Sequence, residues 1–350
     1  MTLTDNPLPV INCQNGELWI KDNGSVTLKP HKPESRLTFC LPISYDPKAE
    51  CPKYDAALTA IFSKAAKPEE VIRHWHEFVG YAIQPKRDIA SYWLLMGHGA
   101  NGKTSLLQTV QKLIGPDAVL NESIGSFQKD NFSMATLCGK LLFVDDDLSE
   151  GVVLNDGLIK KISEAKTITA RHIYGKKFSF VTRALVVMAG NSYPATNDVS
   201  YGMIRRANAF PFDKVFEPGE ADPTLFPTIW ETELPGVLNR AIAGLKRLRQ
   251  RKGFKVPAAC EDAFHDFLIH AMPLLGFMVD RCEPDADGRI RLSVFRAAFK
   301  EWAKQQGVTK VPADKTLKRK LLGLDIKVAK VKGYETIFGL MLSAPEVVGS

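Results

Sequence analysis

The sequence predicts an α/β fold, with a small β-containing segment before the main domain and a winged-helix-like segment after it. Between residues 89 and 216, short apolar runs alternate with helical stretches and turns rich in Gly and Asn, which is typical of an α/β sheet. Towards the C-terminus, helices precede β-like runs at Ile326–Val331 and Thr336–Met341 around the turn Lys332–Tyr334. Helices followed by a small β-hairpin indicate a winged helix.

Changes of composition along the chain give the predicted segment boundaries. The N-terminal segment is rich in Pro, Gly and Asn, and the next one has the apolar spacing of helices. A Pro-rich stretch at 217–227 ends the α/β core and is followed by a basic helix. The five segments are 1–55 (small β-containing), 56–88 (helical collar), 89–216 (core), 217–257 (linker and basic helix) and 258–350 (winged-helix-like).

Composition excludes several classes of protein. The 350 residues are 45% hydrophobic and 24% charged, so the chain as a whole is neither disordered nor fibrous. Lys and Arg (46) exceed Asp and Glu (39), a formal charge of +7. That excess permits a nucleic-acid partner. Seven bases and no acids lie between Arg240 and Lys255.

The sequence lacks the patterns of a signal peptide, a membrane span and a metal site. The N-terminus lacks the basic and apolar regions of a signal peptide, and no run approaches the length of a membrane span. We therefore expect a cytoplasmic protein with no membrane partner. The six cysteines are scattered, as in reduced proteins. His74 and His76 lie two residues apart in a helical stretch, so their rings point to different faces and do not predict zinc.

The strongest motif is Gly97–Thr104 (GHGANGKT), which follows an apolar run and precedes a helical stretch. This is the P-loop pattern GxxxxGK[ST] in its required strand–loop–helix context. Its backbone N–H groups and the helix N-terminus would face phosphates. Lys103 would reach the β- and γ-phosphates of ATP, and Thr104 would ligate Mg²⁺.

A second motif is the apolar run that ends in Asp145, Asp146 and Asp147. It resembles a Walker B element, in which one carboxylate holds the Mg²⁺ shell and another orients the attacking water. We assign Asp145 to the metal and Asp146 to the water. Asp147 is interpreted as a solvated turn residue.

Polar residues after two further strands complete the predicted site. Asn191 ends the apolar run that starts at Leu185, where it either forms a turn or contacts the γ-phosphate as a sensor, the role we favour. Arg205 and Arg206 precede another apolar run. One of them would act as an arginine finger on a neighbouring subunit's nucleotide, unless the pair is a surface ion pair.

Two alternating runs between Thr167 and Phe180 flank Gly175, Lys176 and Lys177. This pattern predicts a β-hairpin with a cationic tip. Lysines at such a tip are commonly solvated. Beside a nucleotide site they can instead grip the phosphates of a passing strand of nucleic acid.

In order and spacing these motifs resemble superfamily 3 helicases of the phage and plasmid primase–helicase branch, which includes the poxvirus-type primase–helicases. The stretch from Leu158–Ser163 through Thr169–Arg171 resembles the B′ motif of that family. Asn191 resembles its motif C and Arg206 its finger segment, with Arg205 as the alternative. One departure is Ser163–Lys166, where the family often has Gly-Gly-Asp. The family's P-loop is matched here by Gly97, Gly99, Asn101, Gly102, Lys103 and Thr104, followed by Ser105.

The resemblance implies an AAA+-type core that assembles as a homo-hexameric ring in a bacterial host cell or its nucleoid. Its cofactors would be ATP and Mg²⁺, and its substrates single-stranded and forked DNA of a phage, plasmid or integrated mobile element. Arg171, Lys176 and Lys177 would contact DNA. We expect no primase domain in this chain, so a separate primase or origin-binding protein is a candidate partner.

Two rival functions are open. One is an ATP-assembled origin-binding or regulatory protein that binds DNA through the winged-helix-like segment without unwinding it. The other is a small-molecule kinase, for which we find neither a lid nor an acceptor motif.

Overall fold

A computed structural model describes residues 8–21, 23–128, 132–196, 201–308 and 311–343. The chain divides into two compact units. The first takes in Met1–Ser192 and Arg206–Ala263, and the second takes in Tyr193–Arg205 and Phe264–Ser350. All five predicted segments thus contribute to the first unit, and residues 193–205 of the predicted core belong to the second. No helix among the described residues has the length and apolar character needed to cross a bilayer.

The N-terminal part of the first unit is a small antiparallel sheet followed by two helices. The strands pair in the order β1-β2-β3, and each helix begins at a proline, a residue favoured in the first helical turn because its missing N–H has no partner there. The elements are β1 (Val10–Cys13), β2 (Gly16–Ile20), β3 (Val26–Lys29), α1 (Pro52–Ile61) and α2 (Pro68–Ala82).

The central part of the chain alternates strands and helices, as the sequence predicts. The elements are β4 (Tyr92–Met96), α3 (Lys103–Ile114), β5 (Val119–Asn121), α4 (Ile124–Phe127), β6 (Leu142–Asp145), β7 (Val153–Leu154), α5 (Asp156–Ser163), β8 (Thr167–Arg171), β9 (Lys177–Val181), β10 (Leu185–Gly190), β11 (Ala195–Thr196), α6 (Tyr201–Ile204) and β12 (Ala207–Pro211).

A parallel sheet in the order β12-β4-β10-β6-β5 forms the centre of the first unit. Its central strands, β4 and β10, are buried along their whole length, which explains their continuous apolar sequence. Parallel strands all end at the same edge of the sheet. The residues at the ends of β4, β6 and β10 are therefore brought together, and Lys103 contacts Asn191 across 88 positions of the chain.

Two further helices pack on α1, α2 and α3 and join the core of the first unit. They are α7 (Leu225–Thr232) and α8 (Leu234–Arg251). Helix α8 carries most of the basic run noted in the sequence, but its arginines are bonded within the unit. Arg240 pairs with Asp55, and Arg247 and Arg251 both pair with the buried Glu77. These cations hold α8 against α1 and α2.

Helices α2 and α8 pack backbone to backbone at two glycines. A Cβ atom on Gly244 would overlap the carbonyl of His76, and one on Gly80 would overlap that of Ala241. Only glycine lets the two helices approach so closely. The crossing also buries His74 and His76, and burial lowers their pKa values to about 3 and about 4. Both rings lie among aromatic side chains.

Replacing Gly244 by alanine is expected to lower the free energy of unfolding by about 3 kcal/mol, because the overlapping atoms are backbone and can move only with their helix. Denaturant unfolding followed by circular dichroism measures the change. Gly157→Ala is the control in the same unit, since its Cβ would meet only ordinary contacts at 3.6 Å. Equal stability of Gly244→Ala and the control would contradict the packing described.

The second unit contains a small antiparallel sheet in the order β13-β15-β14, packed on helices through Phe277, Phe295, Phe299 and Trp302. From Pro273 onwards, the order of elements along the chain is helix, strand, helix, helix, strand, strand. The elements from the end of the first unit onwards are α9 (Ala258–Ala271), α10 (Pro273–Arg281), β13 (Cys282–Arg291), α11 (Leu292–Gln305), α12 (Asp314–Gly323), β14 (Val328–Val331) and β15 (Tyr334–Leu342).

Candidate active site

The predicted P-loop lies between β4 and α3, at the edge of the sheet where the parallel strands end. Gly102 adopts a left-handed backbone with φ +78°, a conformation that favours glycine. A Cβ there would also lie 2.5 Å from Ile61 Cδ1 on α1. Gly99 is exposed, and a Cβ at that position would meet no atom within 4 Å. The open side of the loop is thus at Gly99.

Asn101 fixes the shape of this loop. Its Nδ2 donates to the carbonyls of His98 at 2.9 Å and Phe212 at 3.1 Å, and its Oδ1 accepts from the Lys103 N–H at 3.3 Å. The Phe216 N–H donates to the carbonyl of Ala100 at 2.8 Å. The loop is therefore held by the segment after β12. Sequence reasoning missed this role of Phe212 and Phe216, because only their backbone atoms take part.

The amine of Lys103 joins the ends of two strands. Its Nζ donates to the Gly97 carbonyl at 3.0 Å, the Gly190 carbonyl at 2.7 Å and Asn191 Oδ1 at 3.3 Å. Lys103 is buried, and burial lowers its pKa, an effect that the negative charge of Asp147 opposes. The structure thus brings together Lys103 and Asn191, which the sequence had assigned to one site.

The acids after β6 divide into one buried and two exposed groups. Asp145 is buried, and its Oδ2 accepts from the Ile124 N–H at 2.8 Å at the start of α4. Burial raises its pKa, and hydrogen bonds from the backbone of Ile124 and Asp147 oppose that rise. Asp146 and Asp147 are exposed. Asp147, interpreted from sequence as a turn residue, is the acid whose charge acts on Lys103.

The two arginines before β12 lie in different environments. Arg206 is buried, and its Nη2 donates to Glu164 Oε1. Its carbonyl accepts from the Tyr92 N–H at 2.8 Å, which places it where β4 begins, at the edge opposite the P-loop. Arg205 is exposed and has no ion-pair partner among the residues the structure describes.

Strands β8 and β9 form the predicted hairpin, with Arg171 opposite Lys177. The tip differs from the Gly-Lys-Lys turn expected from sequence, because the connection spans residues 172–176 and Lys177 already belongs to β9. Tyr174 has φ +60° at the tip and is fully exposed, and Ile173 is 65% exposed. Arg171, Lys176 and Lys177 are all exposed at its base. The hairpin therefore exposes the side chains of Tyr174 and Ile173 at its tip and three cations at its base.

Thr104 and Ser105 occupy the first turn of α3. Thr104 is exposed and Ser105 half-buried, so the Thr104 hydroxyl is open to a ligand. Among the described residues, no three carboxylate, histidine or thiol groups converge into a metal site. Mg²⁺ commonly binds through one or two carboxylates together with substrate phosphates, and Thr104 with the acids after β6 fits that kind of site.

Two family models match separate parts of the chain. Residues 2–63 match the family described as D5 N terminal like, and residues 95–206 match DUF5906, a family of unknown function. The second match spans the P-loop, the acids, Asn191 and both arginines. No curated protein matches the chain.

Among solved structures, the chain is similar to the A-form apo structure of the NrS-1 C-terminal region. Sequence identity is 14%, the alignment covers 92% of this chain and 82% of that chain, and the TM-score is 0.52. A second apo structure of the region has 15% identity, coverage of 84% and 78%, and a TM-score of 0.49. The first of these similarities indicates a fold like that of the NrS-1 C-terminal region, and residues 2–63 are similar to the D5 N-terminal family.

Proposed function

We propose that this chain is a replication-related ATPase of the phage primase–helicase type, which moves along single-stranded DNA of a phage, plasmid or mobile element. The observation that carries the proposal is the set of bonds from Lys103 Nζ to Gly97, Gly190 and Asn191. A buried lysine at the end of a P-loop, bonded to the residue after a neighbouring strand, is the arrangement that positions a γ-phosphate.

The core is proposed to be of the AAA+ superfamily 3 type. The sheet order supports this, because β10, which carries Asn191, lies between the P-loop strand β4 and the acidic strand β6. The D5 N-terminal-like match supports the primase–helicase family. The second unit is proposed to be a winged helix, which its order of helices and strands supports.

Each residue of the site would have a separate role in ATP hydrolysis. The P-loop N–H groups and Lys103 would bind the phosphates of ATP. Lys103 would then donate to phosphate oxygens in place of the carbonyls of Gly97 and Gly190. Thr104 and an acid after β6 would hold Mg²⁺, whose charge would neutralise that of the phosphates. Asp145 remains our candidate for the metal and Asp146 for the water. The charge of Asp147 on Lys103 makes it a further candidate.

The arginine finger would act between subunits of a homo-hexameric ring. One five-residue strand separates Arg206 from the P-loop of its own chain, a distance of about 16 Å, which exceeds the reach of an arginine side chain. We propose Arg205 as the finger, because Arg206 is already bonded to Glu164. Imaging of particles with ATP and forked DNA tests the ring and its stoichiometry.

The hairpin is proposed to grip single-stranded DNA. Replacing Lys176 and Lys177 together by alanine is expected to leave basal ATP hydrolysis unchanged and to weaken binding of single-stranded DNA about tenfold, because two phosphate contacts are lost. Unwinding of a forked duplex should fall with it.

The control for this hairpin test is Lys48→Ala with Lys64→Ala, which removes the same charge from exposed positions elsewhere in the first unit. Normal unwinding by the Lys176→Ala, Lys177→Ala variant would contradict the proposed role of the hairpin in DNA binding. ATP hydrolysis that single-stranded DNA does not stimulate would count against the motor function itself.

A second candidate function is an ATP-assembled origin-binding protein without unwinding activity. The basic character of the C-terminal part of the chain favours it. Sequence-specific binding of duplex DNA, without strand separation in the presence of ATP, would support this candidate over the motor.

A further inference from the structure

Positive charge is concentrated in the last part of the chain. Residues 289–343 contain thirteen Lys and Arg against four Asp and Glu, a formal charge of +9. The whole chain carries +7, so the remaining residues are slightly acidic. A segment of such charge attracts a polyanion, and nucleic acid is the polyanion most consistent with so strong a local excess.

Part of this charge lies on one face of the sheet β13-β15-β14. Ile290, Val328 and Ile337 point into the core of the second unit. Because side chains alternate along a strand, Arg289, Arg291 and Phe338 lie on the opposite face, and the two arginines are exposed.

On that face, cations and aromatic rings alternate. Arg289 and Lys327 lie over the ring of Phe338, with centroid distances of 5.8 and 5.3 Å. Arg291 lies over the ring of Tyr334 at 4.4 Å, and Tyr334 is 56% exposed. We call these five residues the platform. They come from β13, from β15 and from the residue directly before β14, so the sheet sets most of their spacing.

The acids near the platform form no ion pair with its cations among the described residues, although Asp285 and Asp287 lie on the same strand as Arg289 and Arg291. Glu335 points to the other face of the sheet, where both its oxygens accept from Lys318 Nζ at 2.8 Å. Asp325 is exposed in the turn before β14. None of the three platform cations has an ion-pair partner in the part of the chain that the structure describes.

We propose that the platform binds single-stranded nucleic acid, as a second site separate from the hairpin. Arg289, Arg291 and Lys327 contact phosphates, and a base stacks on Tyr334. A base can stack on a side chain only when it is unpaired, and stacking on aromatic rings set among cations is the usual mode of single-strand binding. The proposal does not depend on ATP hydrolysis.

The platform is tested by binding of a fluorescein-labelled 20-nucleotide oligo-dT without nucleotide. The full chain with Lys176→Ala and Lys177→Ala is used, so that the hairpin contributes little. Tyr334→Ala is expected to weaken binding about tenfold, whereas Tyr334→Phe keeps the ring and should bind like the parent. Because Tyr334 is exposed, both variants should melt at the parent temperature.

A triple replacement of Arg289, Arg291 and Lys327 by alanine should weaken binding further and reduce its dependence on salt concentration. The matched control replaces Lys300, Lys304 and Lys315 by alanine, exposed cations on α11 and α12. Equal losses in the two triple variants, equal loss in Tyr334→Phe and Tyr334→Ala, or tighter binding of a 20-base-pair duplex than of oligo-dT would each overturn the proposal. Because ATP is absent, these results are independent of the motor function.

Discussion

Replacing Lys103 by alanine is expected to reduce ATP hydrolysis about a hundredfold or more. The amine is the cation bonded to both the P-loop and the residue after β10, so its loss removes a positive charge from the place where the γ-phosphate develops negative charge. Phosphate release at saturating single-stranded DNA measures the effect.

A folding defect must be separated from this catalytic effect. Lys112 lies on the same helix, exposed in its last turn, and Lys112→Ala is the matched control that should hydrolyse ATP at the parent rate. Circular dichroism and melting temperatures show whether Lys103→Ala, which loses the bonds to Gly97, Gly190 and Asn191, is folded. Parent-like hydrolysis by a folded Lys103→Ala variant would disprove the assignment of the site.

Replacing Arg205 by alanine is expected to reduce ATP hydrolysis about a thousandfold while leaving the melting temperature unchanged. Arg205 is exposed, whereas Arg206 is buried against Glu164. Arg206→Ala should therefore act mainly on stability, lowering the free energy of unfolding by about 2 kcal/mol, because Glu164 is partly exposed and keeps Lys166 as a partner. If Arg206→Ala is as stable as the parent but does not hydrolyse ATP, Arg206 and not Arg205 is the arginine finger.

Mixing two inactive variants tests whether the finger acts between subunits. Lys103→Ala keeps Arg205, and Arg205→Ala keeps the P-loop. In a mixed ring, some interfaces combine an intact P-loop with an intact arginine. Hydrolysis should therefore reappear on mixing, and its absence in rings shown to contain both variants would contradict action in trans.

The local parts of the fold and site could be predicted from the sequence. The strands of the core, the P-loop between Gly97 and Thr104 and the hairpin around Gly175 follow from apolar periodicity and from turn residues, which act over a few positions. The convergence of Lys103 and Asn191 could also be predicted, because parallel strands end at one edge of a sheet.

The roles of individual charges could not be predicted in the same way. The arginines of α8 were counted as part of a DNA-binding surplus, yet Arg247 and Arg251 bind Glu77, more than 160 positions earlier in the chain. Asp145 remains the proposed metal ligand, and its carboxylate also accepts from the N–H of Ile124 at the start of α4. Neither partner is recognisable from the residues beside it in the sequence.

By itself, the sequence determined the order of the elements, the position of the P-loop and the basic character of the C-terminal part, since each is encoded by neighbouring residues. Only the tertiary structure decided which charged groups are exposed and which are bonded. It placed Arg206 against Glu164 and left Arg205 exposed, and it set Arg291 of β13 over the ring of Tyr334 in β15. The physical reason is that a charge is neutralised or left exposed by its neighbours in space, and folding takes those neighbours from distant parts of the chain.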